Sequence, residues 1–503
     1  MPLPDRNIDW PPPRMRPALK AMNTWDAWYG GDPDRLSALY GGGAAGPDPK
    51  PVQYTDGWAG RFSRWWWGTP PAAGEQRTKI HVPLAGDLCA ASADLLFSEP
   101  PMFHTEGDEA TQKRLNELAD DGMHAGFQTA AEVAAALGSV YLRPVYDTTL
   151  RDRPWVDAVH ADRAVPEFKW GVLAAVTFWR TLAEDNGIVL RHLERHEPGI
   201  TYHGLYQGTP TKLGLAIPLE DHPATEALAP RVDDMGGAVT GFDRLDVAYV
   251  PNASSRKWRG IPSLADLGRS DLEGVEPLLD TLDEVYASWM RDVRLAKGRL
   301  IVPNSMLQSG GPGRGATYNP DREVYSGLEM LSSADRSPMT IVQFAIRVRE
   351  HEDTVNHWID TIIRSAGYSP QTFGRGGDVA MTATEVVAKE RRSLTTSDKK
   401  ELRWRPGLAD VLEPLLALDR EVFGSNVTPQ RPVVEFGDGV RDDPLTIANT
   451  LETLARAQAM STETMVAALH PEWEDARVKV EADKILTETG RRLPDPMQVG
   501  ALA

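Results

Sequence analysis

The sequence predicts a helix-rich α+β fold divided into several regions, and three observations lead to this prediction. With 503 residues the chain exceeds the size of one hydrophobic core, so two to four structural regions are expected. Two long amphipathic helical patterns lie near the middle, over residues 276–297 and 341–366, on either side of a glycine-rich segment. Between residues 140 and 206 the apolar pattern changes to the alternation typical of strands.

The N-terminal hundred residues predict loop-rich structure followed by a helix. Trp58 and the triplet Trp65–Trp67 occur among glycines and prolines, and such unpatterned aromatic residues more often serve in packing or subunit contact than in sugar binding. Apolar residues at helical spacing predict a helix from His81 to Leu96. A helical pair should follow, with Asp108 as the N-cap of its first helix and Gly138 after its second.

A β-rich layer is predicted after Gly138, with turn signals such as Asp185-Asn186-Gly187 between strands. Within it His192 and His196 are four residues apart, and a strand would place both on an exposed edge. We therefore do not predict a metal site there. The expected strands cover residues 140–145, 155–160, 167–182, 188–193 and 200–206.

The first long helix is predicted from Glu276 to Lys297. Pro277 suits the first turn of a helix, and Gly298 is a typical residue after its end. Acidic residues cluster in the first half of the segment and basic residues at its end, and this distribution of charge matches the helix dipole. At 1.5 Å per residue this helix is roughly 30 Å long. Its apolar positions recur at steps of three and four residues: Leu278, Leu279, Leu282, Val285, Tyr286, Trp289 and Val293.

The segment after this helix predicts short strands at residues 299–303 and 323–325 around a glycine-rich turn, Gly310–Gly315. The second long helix runs from Ile341 to Ala366 and stops at Gly367. A glycine-containing loop, Tyr368 to Ala380, leads to a third helix through Arg391, opened by a capping box at residues 382–385. The remainder, residues 408–423 and 445–489, predicts short helices punctuated by prolines.

Composition limits the function classes. The formal net charge of −18 argues against tight binding of nucleic acid, which a basic surface would favour. No run of eighteen apolar residues is present and no secretory signal is expected, so we predict no membrane association. Cys89 is the one cysteine, and it is expected to be a small buried apolar residue.

No enzymatic constellation is apparent, so we predict a protein without a catalytic site, a metal or a cofactor. The glycine-rich run Gly374–Asp378 precedes a helix but lacks the Gly-Lys-Ser/Thr ending that a nucleotide-binding loop requires. His351 and His357 have the wrong spacing for a helical zinc motif. A Gly-x-Ser-x-Gly nucleophile motif does not occur.

Five sequence blocks occur in a definite order along most of the chain, from about His81 onward. They are residues 83–101, the helix and strand over 276–302, the helix that ends near Tyr368-Ser369-Pro370, the glycine loop leading into Thr384-Glu385-Val386, and Ser461–Met465. In this order, and not through any single block, they resemble the portal proteins of siphovirus-type tailed bacteriophages.

The resemblance implies a portal fold with wing, stem, clip and crown regions, assembled as a ring of twelve subunits around a channel. The implied regions are a wing over 1–270, a first stem helix over 271–297, a clip over 298–338, a second stem helix over 339–367, a tunnel loop with the long helix of the wing over 368–400, and a crown over 401–503.

The resemblance also implies roles for particular residues. A tunnel loop facing the DNA would contain Phe373, Gly374, Arg375, Gly376, Gly377 and Asp378, and the clip would expose Arg299, Arg314, Tyr318 and Arg322. The contacts between stem helices of neighbouring subunits would involve Leu282, Val285, Tyr286, Trp289, Phe344, Val355, Trp358 and Ile362.

The expected partners follow from the same resemblance. Double-stranded DNA would pass through the ring without sequence specificity, the terminase large subunit and later a head–tail adaptor would dock on it, and major capsid and scaffold proteins would contact the wing. The protein would be assembled in the bacterial cytoplasm and reside at the portal vertex of the virion. Two alternatives stay open. The first is another ring-forming adaptor of the head–tail connector, although such adaptors are usually much shorter than this chain. The second, more remote, is a carbohydrate-active enzyme that uses the tryptophan-rich N-terminal region.

Overall fold

A computed structural model describes most of the chain and divides it into two compact units. The first comprises Met1–Gly377 with Lys389–Glu435, and the second comprises Asp378–Ala388 with Phe436–Ala503. The described residues are 3–4, 7–40, 80–233, 235–295, 299–301, 308–309, 316–317, 340–342, 346–375, 383–437, 451–457, 459–469 and 475–489.

The described helices agree with a helix-rich α+β fold. Residues 451–456 form a further helical segment. The labelled helices are α1 Arg16–Gly30, α2 Pro33–Tyr40, α3 Leu84–Leu96, α4 Glu109–Asp120, α5 Met123–Leu137, α6 Pro223–Glu226, α7 Glu276–Leu295, α8 Val348–Ala366, α9 Ala383–Phe423, α10 Thr462–Leu469 and α11 Asp475–Glu488.

The described strands form antiparallel pairs. They are β1 Met102–His104, β2 Ser139–Val145, β3 Trp155–His160, β4 Ala164–Lys169, β5 Val172–Asp185, β6 Ile188–Glu197, β7 Ile200–Thr209, β8 Lys212–Ile217, β9 Gly237–Val239, β10 Ala248–Pro251, β11 Arg299–Ile301, β12 Gln308–Ser309, β13 Ala316–Thr317, β14 Thr340–Val342 and β15 Val433–Glu435.

Two sheets make up the β layer. The larger has the order β4-β5-β6-β7-β8, with β9 paired to β7, and the smaller has the order β10-β2-β3. Two further predictions hold locally, since Asp108 accepts hydrogen bonds from the first turn of α4 and Gly138 closes α5 with φ 93°. The predicted strand over residues 167–182 is wrong, because the chain turns at Trp170-Gly171 and forms the hairpin β4–β5 instead.

The N-terminal region contains two helices, α1 and α2, where the sequence suggested loops. Trp25 and Trp28 are buried on the inner face of α1 and Trp10 lies nearby in the same core, so aromatic burial stabilises a segment whose proline content favours loops. Cys89 on α3 is fully buried, as expected, and burial raises the pKa of its thiol. Trp58 and Trp65–Trp67 lie outside the described residues.

The region after α7 corrects two predicted helix boundaries. The second long helix begins at Val348 and not at Ile341, which lies instead in β14 and pairs with Leu300 of β11. Residues 408–423, predicted as a short helical segment, are part of α9, which has 41 residues and continues through Pro406 and Pro414. The predicted boundary at residue 401 therefore falls inside a helix. In the other segment predicted to form short helices, 445–489, the structure describes residues 451–456, α10 and α11 as helical. Glu323–Tyr325 lie outside the described residues.

The second unit has its own small apolar cluster. Val466 of α10 packs with Val478 and Ala482 of α11, and Ile485 lies partly buried beside them. Within the described parts of the chain, no helix is both long enough and apolar enough to cross a membrane.

Candidate functional site: a helix pair and the cationic pocket at its base

The two long helices α7 and α8 form an antiparallel pair whose inner end belongs to the core of the first unit. Leu279 and Leu282 of α7, and Ile362 and Ile363 of α8, are almost fully buried in one apolar cluster. The indole of Trp25 donates to Glu276 Oε1 over 2.7 Å, which fixes the start of α7. The pair is therefore held firmly at one end.

The outer end of the pair is more exposed and is closed by polar contacts. Asp292 on α7 accepts hydrogen bonds from His351 Nε2 at 2.9 Å and from Arg347 Nη2 at 3.0 Å. These bonds lower the pKa of the Asp292 carboxyl. The Trp289 ring stacks on His351, with centroids 5.8 Å apart, while Met290 and Val293 keep about 40% of their surface exposed. The outer segment thus leaves apolar surface for another molecule.

Three apolar residues predicted at a contact between subunits are buried inside the chain itself. Leu282, Val355 and Ile362 are at most 4% exposed, so their burial needs no neighbour. Val285, Tyr286, Trp289 and Trp358 are half-buried and retain surface that a neighbour could cover. Phe344 lies outside the described residues.

A buried ion pair ties the base of the helix pair to α3 and α9. Lys400 Nζ lies 2.5 Å from Asp271 Oδ2, 2.5 Å from Ser92 Oγ and 3.0 Å from the Tyr368 hydroxyl. Burial and the Asp271 charge raise the pKa of Tyr368, so its hydroxyl stays protonated and donates to Asp271 over 2.7 Å. Asn252 donates to the other carboxylate oxygen. Each of these polar groups thereby has a hydrogen-bond partner.

The segment after α8 is also tied to α9. Gly367 ends α8 in the left-handed region at φ 107°, and its carbonyl accepts from Thr396 Oγ1 over 2.7 Å. Ser369 N donates to Ser393 Oγ over 2.8 Å. A turn of 3-10 helix, Pro370–Phe373, then precedes Gly374 and Arg375. The first residues of the predicted tunnel loop therefore have a fixed position against α9.

A cationic pocket of about 290 Å³ lies beside these residues. Arg364, Arg375, Lys389 and Arg392 line it together with one carboxylate, Asp360, so four positive charges and one negative charge give a net +3. Arg375 Nε donates to Asp360 Oδ1 over 2.9 Å and its Nη2 donates to Asn356. In a chain of net charge −18 this concentration of guanidinium and ammonium groups suits an anion such as a phosphate.

The remaining predicted site residues are distributed as follows. Phe373 and Gly374 lie at the start of the loop, next to Arg375, and Arg299 begins β11. Gly376, Gly377, Asp378, Arg314, Tyr318 and Arg322 lie outside the described residues. Sequence reasoning missed Arg364, Lys389 and Arg392, although the adjacent arginines at 391 and 392 were a visible signal. It also missed Lys400, for which a single lysine in a charged stretch gives no signal.

His192 and His196 are buried inside the β layer, which corrects the prediction of an exposed edge. They are 3% and 4% exposed, because this face of β6 lies against the smaller sheet and not against solvent. His192 Nε2 and His203 Nδ1 are 3.3 Å apart, and burial lowers the pKa of both imidazoles, that of His192 to about 3. Within the described part of the chain, no group of three His, Cys, Asp or Glu side chains is arranged to hold a metal.

His196 is instead the cation of a buried charge network. Its ring nitrogens lie 2.8 Å from Asp246 Oδ1 and 2.8 Å from Glu194 Oε1, and Arg143 also donates to Glu194. Burial alone would lower the pKa of His196, but the two carboxylates outweigh it and raise the pKa to about 9. The network links the two sheets, since Arg143 is on β2 and Glu194 on β6.

With this geometry in place, a comparison with protein-family models identifies the class of protein as a phage portal protein. The model described as "Phage portal protein, SPP1 Gp6-like" matches residues 236–494, more than half of the chain, and the chain belongs to this family. The family is structural and not enzymatic. No curated protein matches the chain in sequence.

Two solved structures resemble this chain at low sequence identity. The neck of a native GTA particle computed with C12 symmetry is 12% identical, covers 77% of this chain and 89% of its own, and has a TM-score of 0.40. The neck of an empty GTA particle computed with C6 symmetry is also 12% identical, covers 81% and 97%, and has a TM-score of 0.39.

We expect Lys400→Met to lower the free energy of unfolding by about 3 kcal/mol, because it leaves Asp271 buried without its cation. The matched control is Lys399→Met at the neighbouring exposed position, which should change stability by less than about 0.5 kcal/mol. Chemical denaturation measures both. If the two substitutions changed the free energy of unfolding equally, the ion pair would not contribute to the stability of the fold.

The His196 network predicts a pH dependence of stability. The folded pKa of about 9 lies above the ordinary value of 6.5, so the stabilisation is complete below pH 6.5 and is lost as the pH rises through about 9. Thermal unfolding between about pH 6 and about pH 9.5 should show this loss, and His196→Gln should remove it. The exposed His160→Gln is the control, and it should retain the wild-type slope.

Proposed function

We propose that twelve copies of this chain form the ring at one capsid vertex through which double-stranded DNA enters and leaves the virion. Membership of the phage portal family carries this proposal. The chain adds a long antiparallel helix pair, α7 and α8, fixed at one end and exposed at the other, as a subunit lining a channel requires. The ring would reside at the portal vertex after assembly in the bacterial cytoplasm.

We propose the following assignment of regions. Residues 1–270 form the wing, α7 and α8 the stem, and residues 298–338 the clip, while residues 368–400 supply the tunnel loop and the helix that follows it. The C-terminal part, predicted from 401, supplies the crown. Half-buried Tyr286, Trp289 and Trp358 support the stem assignment, since a neighbouring stem would cover their remaining surface.

The charge of the chain supports a channel that does not retain DNA. Twelve copies carry 12 × −18, or −216, formal charges, and an acidic surface repels phosphate. We propose that Arg299, Arg314, Tyr318 and Arg322 of the clip and the residues from Phe373 to Asp378 of the loop lie along the path of the DNA. Contacts with cations there would be few and brief.

We further propose that energy for packaging comes from a separate partner. The terminase large subunit would dock on the clip and be replaced by a head–tail adaptor, and the major capsid and scaffold proteins would contact the wing. The family's structural, non-enzymatic character is consistent with this division of labour.

Negative-stain electron microscopy of the purified chain tests the ring. We expect rings with a central hole and a mass near 660 kDa, twelve times the 55.3 kDa chain. Light scattering after size exclusion measures that mass independently. Compact monomers would contradict the proposal, and much smaller rings would favour an adaptor.

The cationic pocket gives a second test, on DNA. We expect Arg392→Glu to weaken binding of a short duplex to purified rings and to reduce the slope of log affinity against log salt by about one, because a phosphate contact is lost. Arg391→Glu is the matched control, since Arg391 is exposed and does not line the pocket.

Two results would contradict the pocket's proposed role. If both variants bind DNA with the wild-type salt slope, no phosphate enters the pocket. If Arg392→Glu instead disassembles the rings, the pocket holds a carboxylate of a neighbouring subunit and not DNA.

A further inference from the structure

The hairpin between β4 and β5 carries an unusual residue at its tip. Trp170 is fully exposed, at 102% of its reference surface, and it has φ 54°, with Gly171 at φ 77°. A two-residue turn with positive φ at both positions favours Asn, Asp or Gly, and a bulky side chain there is strained. The adjoining Val172 is 67% exposed. A large apolar side chain therefore occupies a turn position where a small polar residue would be less strained.

An exposed tryptophan in a strained turn is the kind of side chain that anchors a protein interface. Tryptophan is enriched among the residues that dominate binding energy, because it buries a large area with few rotatable bonds. No residue in the described part of the chain covers the indole of Trp170, which leaves it available to a surface of another molecule.

The same chain has an open groove that suits an indole. It has a volume of about 550 Å³ and lies between β1, α4 and α5. Pro100, Pro101, Met102 and Phe127 supply apolar and aromatic surface, and Met102 is 54% exposed. Apolar walls with a polar rim are typical of a site that receives a side chain.

The charges next to the two features are complementary. Lys169, at the end of β4, is exposed beside Trp170, and Asp120, at the end of α4, lies on the rim of the groove. Among the residues that the structure describes, neither side chain has an ion-pair partner. A hairpin seated in the groove would bring an ammonium group near a carboxylate.

We propose that the Trp170 hairpin of one subunit inserts into the Pro100–Met102 groove of the next subunit in the ring. The hairpin and the groove are different surfaces of one chain, so the contact is head-to-tail, and head-to-tail contacts form a ring where the rotation between neighbouring subunits closes. This inference rests on the proposed ring function and adds a specific contact to it.

Disulfide trapping tests the contact directly. The native Cys89 is fully buried, so a Lys169→Cys, Asp120→Cys double variant, which keeps Trp170 and Met102, has two accessible thiols and little background. Under mild oxidation we expect a ladder of cross-linked chains on a non-reducing denaturing gel. The matched control replaces Ile188, which is half-exposed at the β5–β6 turn, at the other end of β5, and Ile188→Cys with Asp120→Cys should give no ladder.

Substitution of the hairpin and its charges supplies an independent measurement. Trp170→Ser should raise the concentration at which rings dissociate at least about tenfold, whereas Val239→Ser, at another exposed apolar position, should not. Lys169→Glu and Asp120→Lys should each weaken the ring, and together they should restore part of its stability. Thermal unfolding of each variant shows whether the subunit itself is intact.

The outcomes separate this inference from the proposed function. Wild-type rings without a ladder in the double variant overturn the contact and leave the ring in place. In such rings, a thiol introduced at position 169, with Trp170 retained, that reacts freely with maleimide would show independently that the hairpin is not seated in any interface. A wild-type chain that stays monomeric overturns both proposals.

Discussion

The buried ion pair between Lys400 and Asp271 is the interaction on which the central part of the first unit depends. It joins the residues before α7 and the residues after α8 to α3 and α9 at one point. Two charges in an apolar interior are costly unless every lone pair and proton has a partner, and here Ser92, Tyr368 and Asn252 complete the set. This requirement fixes the relative positions of these elements, because displacing one of them would leave a buried charge without its partner.

The anchored base and exposed tip of the helix pair follow from that arrangement. Apolar residues near the base are buried by the chain's own core, while the outer part carries half-buried aromatic rings and the polar closure at Asp292. This division suits the stem role proposed for α7 and α8, in which neighbouring subunits would cover the outer part of the pair. The cationic pocket lies at the base, close to the first residues of the predicted tunnel loop.

Much of the helical structure was predictable from the sequence because its signals are local. Asp108, Gly138 and Gly367 mark helix ends through capping and positive φ, and the spacing from Leu278 to Val293 defines α7. Proline gave misleading signals. α9 continues through Pro406 and Pro414 because buried apolar residues on both sides of each proline, Trp404, Leu408, Leu412 and Leu415, compensate for the lost backbone hydrogen bonds. Likewise, burial of Trp25 and Trp28 stabilises α1 in a proline-rich segment. The pocket and the Lys400 cluster depend on residues distant in sequence, which periodicity does not bring together.

The length of α9 has a mechanical consequence. Arg392 in the cationic pocket and Asp419, which is fully buried and accepts two hydrogen bonds from Arg114, are 27 residues apart on this one helix, roughly 40 Å along its axis. A long helix is stiff, and between these two positions α9 is held by the buried Lys400 and by buried apolar residues such as Leu408 and Leu415. A load applied at Arg392 is therefore transmitted directly into the core of the first unit.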